Sequence, residues 1–135
     1  MDREIKFRGK SIRNGKWLYG DLLRNVDNSF AIVPPFEVNM QNECARYEVD
    51  PETIGQFIGL HDKNGKEIYE GDILSFYHNS EKFICVVEWN NEVGAWCIRL
   101  KYEVYVGIRP LGEWLCDFKM EIIGNIYDNK QLLED

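Results

Sequence analysis

Polar and apolar residues alternate in short runs along most of the chain, and glycine or proline closes many of those runs. That period predicts strands. Ile5–Arg8 reads as a short strand. Ser29–Val33 reads as another, stopped by Pro34-Pro35, which cannot sit inside a sheet. Residues 35–45 have no period and read as a loop, and Arg46–Val49 reads as extended. Phe83–Trp89 and Ala95–Lys101 form the cleanest long hairpin, turning through Asn90–Gly94, and Glu121–Tyr127 reads as a strand near the C-terminus. One helical spacing stands out: Leu111, Trp114, Leu115 and Phe118 line up on one face behind Pro110, a favoured helix opener. The pattern therefore predicts a mainly β fold with one short helix near 111–118.

Two segments look like copies of one device. Asn14-Gly15-Lys16 leads to Gly20-Asp21, and Asn64-Gly65-Lys66 leads to Gly71-Asp72, which launches a new strand. Asn-Gly between apolar flanks is a strong hairpin signal, because both residues tolerate the positive φ the turn needs. At Asn64-Gly65 a two-residue loop would set Lys63 against Lys66 and Asp62 against Glu67, both repulsive. A three-residue loop with Gly65 left-handed pairs Asp62 with Lys66 and Leu60 with Ile68. It also gives a type I turn with Asp first and Gly fourth. The longer loop is expected there. At the first copy the two lengths balance: the shorter one sets Ile12 against Trp17, but Arg13 then faces Lys16.

With 135 residues, 44% of them apolar, the chain is long enough to fold as one domain without a metal or disulfide. Its charge, 16 basic against 23 acidic side chains, is the wrong sign for a protein whose main task is gripping phosphates. Arg3, Lys6, Arg8, Lys10, Arg13 and Lys16 nevertheless crowd the N-terminal segment. No apolar run reaches the roughly 18 residues of a membrane helix. The opening MDREIKFRGK lacks the apolar core of a secretory signal, so a cytoplasmic protein is expected. Cys44, Cys85, Cys97 and Cys116 include no closely spaced pair and read as small buried hydrophobes.

The candidates for chemistry are few. Glu70 and Asp72, two apart, would project from one face of an extended chain and could hold a cation or divide acid and base roles. The competing reading is that Gly71 bends the chain while Asp72 satisfies backbone N–H groups. The first copy has no acid where Glu70 stands, which favours the structural reading. His61 and His78 lie beside turn-like sequence, and a site built from His78, Cys85 and Cys97 lacks ligand-type spacing. Trp17, Trp89, Trp96 and Trp114 could stack on bases, yet Glu88, Asn90, Asn91 and Glu92 surround Trp89, so packing is the better account. No Gly-rich phosphate loop is present. No catalytic, cofactor or metal residue is therefore assigned.

IKFRGK, then DPETIGQFIGLHDKNGKEIYEGDIL, and finally EIIGNIYDNKQLLED together resemble the YopX family of small proteins encoded by phages and prophages. The likeness spans both ends and the middle, with a variable stretch from about 25 to 48. Gly9-Lys10 stands where many relatives have Trp-Asp, and Lys130 where they have Pro; both look like loop variation. The resemblance implies an all-β protein whose sheet folds back on itself, pseudo-barrel-like, in sub-parts of about 1–50 and 51–135. It implies no activity, cofactor, metal or substrate, and no link to toxin effectors.

Three function classes follow. The first is a non-enzymatic phage accessory protein that contacts a host or phage protein, or a second copy of itself, through exposed apolar area. The second is a nucleic-acid accessory protein, which needs the six N-terminal cations gathered on one face. The third is an enzyme, which needs a pocket where Glu70, Asp72 or a histidine converges with other polar groups.

Overall fold

The computed structural model describes residues 2–35, 45–102 and 107–135. The chain is mainly β, and its contacts divide it into two compact units, Met1–Phe57 and Ile58–Asp135. Its strands form open antiparallel arrays, and none closes as a barrel among the described residues.

In the first unit β1 (Phe7–Lys10), β2 (Trp17–Arg24), β3 (Phe30–Val33), β4 (Glu48–Val49) and the start of β5 (Gly55–His61) lie side by side in the order β4-β3-β2-β1-β5. Strand β1 begins and ends two residues later than alternation suggests, and the first Asn-Gly reversal sets where it ends. Ser11 N donates to Lys16 O at 2.9 Å and Gly15 N to Ser11 O at 2.9 Å, which encloses a four-residue loop with Gly15 at φ +70°. Lys10, not Ile12, therefore lies opposite Trp17. Ile12 is exposed, and its N–H goes instead to Glu48 O at 3.1 Å, a partner 36 residues on that neither loop length anticipated. Arg46–Val49 shortens to the two residues of β4, and residues 36–44 of the expected loop lie outside the described residues. Ala31, Val33 and Tyr47 form the core here, with Leu18 and Leu23 packed against it.

The second unit holds the rest of β5, then β6 (Glu67–Tyr69), β7 (Asp72–His78), β8 (Glu81–Asn90), β9 (Ala95–Leu100), α1 (Leu111–Asp117) and β10 (Glu121–Asn125). Four of these strands run in the order β10-β7-β8-β9. The second Asn-Gly turn has the expected three-residue form: Asp62 N donates to Lys66 O at 2.8 Å, Gly65 N to Asp62 O at 3.0 Å, and Gly65 sits at φ +81°. The β8–β9 hairpin closes at Asn90, whose carbonyl accepts from Gly94 N at 2.9 Å. Strand β10 ends at Asn125, short of Tyr127, because the Asn125 side chain turns back to accept from Tyr127 N and Asp128 N. Pro110 opens α1 as expected, and Leu111 and Trp114 are buried on its inner face.

The two Gly-Asp steps are not the same device. Gly71 is left-handed at φ +89°, donates to Val87 O and accepts from Ile126 N, both at 2.9 Å, and so ties the start of β7 to two other segments. Gly20 instead lies inside β2, where a Cβ would stand 2.0 Å from Val33 O, and Asp21 beside it is exposed. One glycine answers a turn and the other a close approach of backbones.

Asp62 holds the second unit's hairpin to β10. Its Oδ1 accepts from Asn64 N at 2.8 Å and Lys66 N at 2.9 Å, and its Oδ2 from Ile122 N at 3.0 Å. Lys63 N adds a bond to Met120 O at 2.9 Å. Burial pushes the Asp62 pKa up, but the three backbone donors, Ile122 foremost, outweigh it with help from the Lys66 charge. The carboxyl therefore sits below its ordinary 3.8.

Two outcomes follow. Asp62→Ala leaves three donors without their acceptor and is expected to cost about 3 kcal/mol in urea unfolding at pH 7. The folded pKa is the lower one, so this stabilisation is complete above the unfolded value and disappears as pH falls through the folded value. Asp62→Asn should flatten that acid limb. Separately, Gly20→Ala should lower thermal stability far more than Gly65→Ala. At Gly65 nothing lies within 4 Å, and the cost is only the roughly 1–2 kcal/mol of a left-handed Cβ.

Candidate binding cavity

Register and helix position together build an aromatic hollow in the second unit. The β7–β8 hairpin turns through Asn79 and Ser80, both at positive φ, as a two-residue turn of this hand requires. That turn sets His78 opposite Glu81 and Phe76 opposite Phe83, and the next hairpin sets Cys85 opposite Leu100. Directly opposed residues share a face, so Phe76, His78, Phe83 and Leu100 all point the same way. Across from them α1 presents Trp114, and Phe118 ends it.

Phe76 stacks on Phe83 with centroids 5.4 Å apart, and it lies 4.8 Å from Phe118 and 5.8 Å from Trp114. His78 meets the Phe118 ring edge-on at 5.5 Å. These side chains, with Leu100 and Arg109, line a partly open cavity of about 390 Å³. That volume is near the lower end of ligand pockets, roughly 300–1,000 Å³. Arg109 lies over the Trp114 ring at 4.9 Å and bonds Asp117 at 2.7 Å, with Glu113 at 3.5 Å. The Asp117 hydrogen bond leads in holding the guanidinium pKa above its ordinary value.

The residues singled out from sequence fall elsewhere or take structural roles. Asp72 is 2% exposed and accepts from Tyr69 N at 2.8 Å, so its carboxylate is committed to the turn, while Glu70 is only half-buried. His61 is exposed, and of the two histidines only His78 reaches the cavity, at its rim. Cys85 shares the Leu100 face, but Cys97 lies opposite Glu88 and so points to the other side of the sheet; with His78 they make no common site. Among the described residues no group of His, Cys, Asp and Glu gathers to hold a metal. Cys44 lies outside the described residues. Cys85 and Cys97 are buried as expected, whereas Cys116 is exposed.

Tryptophans pack as expected: Trp114 is buried, and Trp89 and Trp96 form a cross-strand pair at 5.0 Å. The N-terminal cations do not form one open patch. Arg8 is 6% exposed and lies over Trp17 at 4.7 Å, with Lys10 over the same ring at 5.6 Å. Lys6 pairs with Glu4, and Arg13 lines a polar cleft with Arg46.

A family model described as YopX protein matches residues 6–134. The chain belongs to the YopX family. No curated protein matches it. A crystal structure of protein EF1440 from Enterococcus faecalis is similar in fold, with a TM-score of 0.60 and 24% identity over 98% of this chain and all of that one. In this YopX-family chain no described helix is long and apolar enough to cross a membrane.

Burial dominates thiol chemistry here. It pushes Cys85 up to about 12, and it raises Cys97 together with the Glu88 charge. Alkylation of the native protein at pH 8, mapped by peptide mass spectrometry, should therefore modify Cys116 well before Cys85. Cys85 should react only once denaturant unfolds the chain.

Proposed function

We propose that this YopX-family protein is a non-enzymatic accessory protein of a phage or prophage, working in the bacterial cytoplasm by contact with a host or phage protein. The observation that carries the reading is the aromatic cavity, where an apolar side chain of the partner enters between Phe83, Leu100 and Phe118. Such a contact replaces water with aromatic surface, the largest source of affinity per residue at interfaces. Exposed Tyr77, Tyr102 and Ile108 add apolar area in the same unit. Glu70 and Asp72 offer poor support for an enzyme, since Asp72 is buried in the turn. The buried position of Arg8 similarly weakens the nucleic-acid reading.

Paired capture from infected or prophage-carrying cells tests this, with wild type and Phe83→Ala as baits. Phe83 is half-buried, so the variant should lose about 2 kcal/mol of stability and stay folded by circular dichroism. A protein held by wild type should be lost, at least tenfold, with the variant. Identical retention by both folded baits would overturn the cavity as the contact.

A further inference from the structure

We infer that the cavity selects a partner segment in which an apolar side chain is followed by Arg or Lys. The inference rests on the cavity being the contact site and adds the charge of the occupant. The floor is aromatic: Phe76, Phe83 and Phe118 carry no charge, so they set size and hydrophobicity but not sign. His78 and Arg109 are the polar residues of the lining, and a charged cluster at Arg109 sets the sign beside it. Arg109 supplies one positive charge, and Glu113 and Asp117 supply two negative ones within 3.5 Å of it.

Those carboxylates have capacity left. The Glu113 and Asp117 side chains are 60% and 54% exposed, against 33% for Arg109. Each ionised carboxylate offers about four acceptor sites, of which Arg109 takes few. The guanidinium, by contrast, has one face over Trp114 and both neighbouring acids on its edge. An incoming cation meets two carboxylates that share one counter-charge. An incoming anion meets a guanidinium already doubly compensated and is repelled by both acids. The net charge of −7 works in the same direction at longer range, speeding encounter with basic segments. An aromatic floor also tolerates a cation, since ring faces attract ammonium and guanidinium groups.

Three capped dipeptides test the inference: acetyl-Phe-Arg-amide, acetyl-Phe-Gln-amide and acetyl-Phe-Glu-amide, titrated into the full isotope-labelled chain at low salt. Amide shifts in α1 and at the β7–β8 turn report the cavity. All three should perturb it, in the affinity order Arg, Gln, Glu, with Arg about tenfold ahead of Glu. Asp117→Asn and Glu113→Gln should each reduce the preference for Arg over Gln, read as the ratio of the two affinities for the same variant, about threefold. Equal binding of the Arg and Gln peptides, or Glu binding as well as Arg, would overturn the charge selection while leaving the cavity as the site. Failure of all three peptides to shift cavity amides would overturn both readings.

Discussion

The carboxylate of Asp62 is the constraint on which the second unit depends. A buried acid normally costs stability, yet here every bond it makes is to a backbone N–H that would otherwise lack an acceptor. Two of those donors close the Asn64-Gly65 turn, and the third belongs to Ile122, 60 residues away in sequence. One side chain thus fixes both a local reversal and the placement of β10. From there the order follows: β10 pairs with β7, β7 with β8, and β8 with β9. Met120, fully buried, is drawn in by the adjoining Lys63 bond.

The cavity is a by-product of that order and of a short helix. Phe76, Phe83 and Leu100 come from three successive strands and share a face only because each hairpin keeps its register. Helix α1 then lies against them through Leu111 and Trp114, and it is too short for Phe118 to be shielded completely. The hollow opens where the helix stops. Arg109, just ahead of the helix, folds over Trp114 and joins the first and last turns through Glu113 and Asp117.

Local physics was legible in the sequence, and distant neighbours were not. The Asn64-Gly65 turn could be read because like charges excluded the alternative loop. The helix could be read because Leu111, Trp114, Leu115 and Phe118 share a face. The first reversal could not, since Ile12 answers to Glu48 across the sheet and not to its own hairpin. Gly20-Asp21 and Gly71-Asp72 carry the same letters for different reasons: the Val33 backbone presses on Gly20, while Gly71 turns the chain at positive φ. The cavity was half legible. Helical spacing marks Trp114 and Phe118, but no local pattern marks Phe76, Phe83, Leu100 and Arg109 as their neighbours. A two-residue turn at Asn79-Ser80 is the signal that pairs Phe76 with Phe83.

Strand β7 is covered on both faces from Asp72 to Phe76, which is unusual for an antiparallel strand and erases the in-out alternation there. A strand so enclosed has no route to solvent by local fraying. Its amide protons should trade with heavy water only when the whole unit opens, so they act as a clock for the lifetime of the folded state.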